Sequence, residues 1–214
     1  MPTGGHRQTR ISVKLWNSHP IRVHPCPSVV PLSAHIQFFR SATRLPARFA
    51  PGARELPFGS LPVLDVGGAA PTRIAQSNAI LRYAGKLTGL YPNDPMDALR
   101  VDELIEFAED INHALSPSMR EPDMEKKLAM RKVLVDESIP LWCKYLETKL
   151  AANTDPTHFV GSSLTVADLK LLHGLDQLVS GNLDGVPKTV LDPYEKLQAW
   201  RAAVRKERDA KVAG

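Results

Sequence analysis

No tyrosine precedes Tyr83 in this chain of 214 residues, and the first sixty residues hold a single acid, Glu55. Cysteine is nearly absent too. Cys26 and Cys143 stand alone, with no CxxC or CxH spacing, which argues against dithiol redox chemistry and a metal site and favours a reducing, cytoplasmic compartment. No apolar run approaches the ~18 residues that a helical membrane span needs, so no membrane partner is expected. The scarcity of acids is local. Residues 1–60 carry eight basic groups (Arg7, Arg10, Lys14, Arg22, Arg40, Arg44, Arg48 and Arg54) against Glu55, a net +7; with +4 overall, residues 61–214 carry −3. This basic stretch lacks the interleaved aromatics and groove-reading motifs of nucleic-acid binders, and no nucleic-acid partner is expected.

What is present begins at Leu61-Pro62. Val63-Leu64-Asp65-Val66 reads as a short, partly buried strand, Gly67-Gly68 as a turn and Thr72-Arg73-Ile74-Ala75 as the return strand. Ser77 then offers an N-cap side chain, and Ile80, Leu81, Tyr83, Ala84 and Leu87 follow at helical spacing. Gly89 suits the residue just past that helix. The first turn of a helix exposes unpaired N–H groups and the positive end of its dipole, so it favours a carboxylate. Gln76 adds a side-chain amide beside it. The sequence thereby predicts a backbone-lined pocket for a small anionic peptide.

Residues 93–214 show helical periodicity and no strand alternation. Leu99, Val101, Leu104, Ile105, Ala108 and Ile111 mark one long helix. Leu128, Val133 and Leu134 mark another, which Pro140 kinks or restarts before Leu141, Trp142, Tyr145, Leu146 and Leu150. Thr165-Val166-Ala167-Asp168 opens a third with a capping box, the Thr165 hydroxyl on the Asp168 N–H and the Asp168 carboxylate on the Thr165 N–H. Both residues are read as structural, each worth about 0.5–2 kcal/mol. Tyr194, Leu197 and Trp200 form the inner face of a last helix, with Arg201, Arg205, Lys206, Arg208 and Lys211 on its solvated side.

Leu56-Pro57-Phe58-Gly59-Ser60-Leu61-Pro62-Val63-Leu64-Asp65, with Ile74-Ala75-Gln76-Ser77-Asn78-Ala79-Ile80-Leu81-Arg82-Tyr83, closely resembles the cytosolic glutathione S-transferases, nearest their sigma, alpha and mu-like classes. The resemblance runs from about residue 56 to the C-terminus. It implies a thioredoxin-like first domain over 11–90, preceded by a disordered segment or an extension at 1–10, and an all-helical second domain over 93–214. It implies a cis-proline corner at Leu61-Pro62 and a glutathione carboxylate held by Gln76 and Ser77. Asp110 matches an acid that reaches across a homodimer to the glutathione amino group, and otherwise reads as part of a solvated helix face. Glutathione enters as co-substrate with no further cofactor or metal, and its thiolate is added to a small hydrophobic electrophile. The thiolate needs help near neutral pH, because a free thiol titrates near ~8.5.

Residues 11–54 depart from the family. Ile11–Trp16 suits a first strand and Ile36–Phe39 a second. Pro20-Ile21-Arg22 echoes the start of the family's first helix, but Pro25, Pro27 and Pro31 oppose a regular one. The family's catalytic tyrosine, or serine in some classes, would fall near Asn17 or Ser18, which are the available donors. Three readings of residues 1–54 stay open: foreign sequence joined to a transferase body, an organelle transit segment, or a divergent N-terminal half. The matching alternative for function is a non-catalytic homologue that keeps the glutathione pocket without its thiol activator.

Overall fold

The computed structural model describes residues 57–59, 62–66 and 72–213, together with the backbone of three strands at 11–13, 21–23 and 34–37. The chain divides into two compact units, Met1–Leu90 with Lys211–Gly214, and Tyr91–Ala210.

In the first unit, β1 (Ile11–Val13) pairs antiparallel with β2 (Ile21–Val23), and β3 (Ala34–Gln37), β4 (Val63–Val66) and β5 (Thr72–Ala75) form an antiparallel sheet in that order. The expected strands at Val63–Val66 and Thr72–Ala75 are present, and Ala34–Gln37 overlaps the expected second strand. The departure lies in β2. Ile21-Arg22 sits in a strand rather than at a helix start, and the seven residues between β1 and β2 are too few for the crossover a βαβ unit needs. The thioredoxin-like domain is therefore irregular at its start. In the β4–β5 hairpin Val63 faces Ala75 and Val66 faces Thr72. Val63, Leu64 and Ala75 are buried. Asp65 and Arg73 face each other and join through a 3.0 Å bond on the exposed side.

Helix α1 (Ser77–Thr88) follows β5 directly. It ends as its sequence predicts, with Gly89 left-handed at φ 72° and the Leu90 N–H bonded to the Gly85 carbonyl at 2.9 Å.

The second unit holds α2 (Pro95–Arg120), α3 (Met124–Val133), α4 (Ile139–Ala152), α5 (Val166–Leu178) and most of α6 (Glu195–Ala213). Asp94 caps α2 by accepting from the Met96 and Asp97 N–H groups. The inner face of α2 is Val101, Leu104, Ile105, Ala108, Ile111 and Leu115. Leu99 is exposed, contrary to expectation, because it precedes Val101 by two residues and so points about 200° away. The same geometry corrects α4. Ile139, Cys143, Leu146 and Leu150 are buried, while Leu141 and Tyr145 fall two residues out of step and are exposed. Leu128 and Val133 are exposed as well; on α3 the residue turned inward is Arg131, which donates to Ser118 Oγ and to the Asp184 carbonyl.

The interruption expected at Pro140 takes the form of a change in helix type, without a break in the helical run. A π-helical stretch, Leu134–Ser138, joins α3 to α4, and Pro140 follows just after it. The wider i→i+5 bonding absorbs the break that a proline would otherwise open in an α-helix.

The start of α6 is capped from a distance. Glu147 of α4 accepts from the N–H groups of Lys196 and Leu197 at 3.0 and 3.4 Å, a negative charge at the positive end of the helix. Glu147→Ala is expected to cost about 1–2 kcal/mol and Glu147→Gln, which keeps an acceptor, about half as much; urea unfolding of the two variants checks the order. Arg201 is buried, a correction to its expected solvated place, because Asp176 of α5 pairs with it at 2.9 Å and with Arg205 at 2.7 Å. No helix among the described residues is long and apolar enough to cross a membrane.

Candidate functional site

The end of β5 and the start of α1 meet at Gln76. Its backbone has φ 78° and ψ 109°, a left-handed conformation that side-chain-bearing residues rarely adopt. Both neighbours are fixed: Ala75 is buried and paired with Val63, and the Ile80 N–H bonds to the Gln76 carbonyl at 3.0 Å, with Ile80 itself buried. Strain of this kind costs about 1–3 kcal/mol and persists where its surroundings over-determine it, which happens most at ligand clamps and active sites.

The kink has a consequence for Ser77. The expected N-cap is Ser77, but the helix begins at Ser77 and the cap position belongs to Gln76. The Gln76 side chain does not cap this helix, and its first turn carries no acid. Gln76 and Ser77 are both exposed, so side-chain amide, hydroxyl and helix dipole all reach solvent at one point. Extending the register of β4 and β5 by one step sets the half-buried Pro62 opposite Gln76. The fold thus brings Pro62, Gln76 and Ser77 to one end of one hairpin. Leu61, and with it the Leu61–Pro62 bond, lies outside the described residues, as do Asn17 and Ser18.

Asp110 belongs to the second unit, on the exposed side of α2. Its neighbour Glu109 is committed: the Lys170 ammonium donates to it at 2.7 Å and holds its carboxyl below the usual range. Asp110 makes no such pair among the described residues, so of the two acids it is the one free for a ligand's cation.

Thr165 and Asp168 form the expected capping box, and both are buried. The Thr165 N–H and hydroxyl donate to Asp168 Oδ2 at 2.9 and 2.7 Å. The sequence did not reveal the other carboxylate oxygen's load. Asp168 Oδ1 accepts from the Phe159 N–H at 3.1 Å and from the Trp200 indole at 3.0 Å. A buried indole needs an acceptor, and that was the available signal. Phe159 meets Trp200 edge to face, with ring centres 4.8 Å apart.

Residues 109–211 match the family model described as glutathione S-transferase, C-terminal domain. The chain is 35% identical over 121 residues to glutathione S-transferase 1 of Ascaris suum, across 56% of this chain and 57% of that protein, and so spans little more than half of that relative's length. It is 32% identical over 150 residues to the hematopoietic prostaglandin D synthase of Mus musculus, across 70% of this chain and 69% of that one. Its fold is similar to that of prostaglandin synthase D of Nilaparvata lugens, with a TM-score of 0.61, 25% identity and 72% of each chain covered. The thioredoxin-like first unit, the all-helical second unit and these similarities lead to one conclusion: the chain belongs to the glutathione S-transferase family.

Proposed function

We propose that the chain binds glutathione at the start of α1 and adds its thiolate to small hydrophobic electrophiles. The observation that carries this reading is the helix start at Gln76-Ser77, where a left-handed backbone at Gln76 sets two exposed polar side chains at the N-terminal end of α1. In this reading Gln76 and Ser77 hold the γ-glutamyl carboxylate, Pro62 and Leu61 form the adjoining corner, and Asp110 of a second subunit meets the glutathione amino group. The active form is then a homodimer in the cytoplasm, with glutathione as co-substrate and no other cofactor. Ser18 and Asn17 are the proposed donors to the sulfur.

A second reading is a non-catalytic glutathione-binding or structural homologue. It is favoured by the lack of any tyrosine before Tyr83. The two readings part in a single experiment, in which the full chain is passed over immobilised glutathione and then assayed with an activated aryl halide. Conjugation expects retention, elution by free glutathione, and turnover that rises with pH as the thiol ionises. Retention without turnover overturns the enzyme and leaves the binding protein. Failure of both sinks the pocket itself.

A further inference from the structure

We infer that the cleft between α4 and the first turn of α6 is a second ligand site, suited to a small aromatic carboxylate. The cleft is open to solvent and has a volume of about 540 Å³, with Pro140, Lys144 and Thr148 contributed by α4 and Tyr194 and Lys196 by the chain at the start of α6. That volume falls within the usual range for small-molecule pockets, about 300–1,000 Å³. Pro140, Lys144 and Thr148 recur every four residues, which stacks them in one row along the helix.

The charges in the cleft are unequally engaged. Its acid, Glu147, spends its carboxylate on the N–H groups of Lys196 and Leu197. The ammonium groups of Lys144 and Lys196 have no partner among the described residues, and neither has the Tyr194 hydroxyl. By contrast, Lys132, Lys149 and Lys170 in the same unit each hold a carboxylate. Burial pushes the Tyr194 phenol above its ordinary range, helped by Cys143 and then Glu147, so it stays protonated and serves as a donor. Three donors thereby line one cleft, and two of them are cations.

The rest of the lining decides what the anion is attached to. Tyr194, which is half-buried, Pro140 and Ala151 supply the apolar part of the lining. A flat aromatic body packs there while its carboxylate meets the ammonium groups. Two lysines against Glu147 leave a single net positive charge, which matches a monoanion better than a phosphate. All these residues belong to the second unit, so the site does not depend on the glutathione pocket.

The test is a titration of the full, isotope-labelled chain with 2-naphthoate, followed by amide NMR. Saturable shifts are expected in the amides of residues 140–151 and 194–197, with a dissociation constant below about 1 mM. The neutral 2-naphthamide has the same shape and should bind about tenfold more weakly. Lys144→Ala combined with Lys196→Ala, both at exposed positions, should lose a similar factor while retention on immobilised glutathione stays unchanged. No saturable shift, shifts gathered elsewhere, equal binding of the amide, or undiminished binding by the double variant would each overturn the site.

Discussion

Asp168→Ala is expected to lower the unfolding free energy by about 3–5 kcal/mol, against about 1 kcal/mol for Thr165→Ala. The capping box alone would make the two residues equivalent, and their surroundings separate them. Asp168 is fully buried and accepts four hydrogen bonds, from the Thr165 N–H and hydroxyl, the Phe159 N–H and the Trp200 indole. Those donors come from the loop before α5, from its N-terminus and from α6. Alanine leaves each of them in an apolar interior without an acceptor, and an orphaned buried donor costs more than its bond contributes. Thr165→Ala removes one hydroxyl, and Asp168 still holds the Thr165 N–H. At two to four degrees per kcal/mol in a chain of this size, the Asp168→Ala melting temperature falls by roughly 10 °C. Asp168→Asn retains one acceptor and should lie between the two. Equal losses for Asp168→Asn and Thr165→Ala in urea would mean that Asp168 is only a cap.

The residues differ in how openly the sequence declares these roles. Strand and helix periods are local, so β4, β5, α1 and the Gly89 stop were all legible from spacing and turn chemistry. The Leu61-Pro62 and Gln76-Ser77 segments pointed to one end of a hairpin, and the register sets Pro62 opposite Gln76 there. Long-range partners were not legible. Glu147 and Lys196 are 49 residues apart, and Arg201 and Asp176 are 25 apart. Nothing in either local pattern distinguishes a solvated charge from one that caps or pairs across the fold. Leu99, Leu141 and Tyr145 failed for a different reason. They are apolar residues on helices whose buried face is already complete, and composition without phase assigns them inward. Gln76 hid its strain in the same way, because a glutamine gives no sign of positive φ where a glycine would.

That strain makes Gln76 the most informative single position in the proposed glutathione site, because side chain and backbone can be tested apart. Gln76→Ala removes the amide and keeps a Cβ at φ 78°. Since a hydrogen bond to a charged carboxylate is worth about 1.5–3 kcal/mol, glutathione affinity should fall by about 10- to 150-fold. Stability should hardly change, since the glutamine side chain is exposed. Gln76→Gly loses the same amide but relieves the left-handed strain. The relief of about 1–3 kcal/mol exceeds the 0.5–1 kcal/mol that glycine's extra backbone entropy costs. The glycine variant should therefore unfold about 2–4 °C above the alanine variant while binding glutathione no better. Calorimetric titration with glutathione and a thermal melt of each variant give both numbers. If Gln76→Gly binds as tightly as the unsubstituted chain, the carboxylate is held by backbone alone and the amide has no part in it. If Gln76→Ala melts with Gln76→Gly, the kink carries no strain. If glutathione binds as proposed, both effects appear, and the backbone strain at Gln76 is then the stability cost of holding the amide at the helix end.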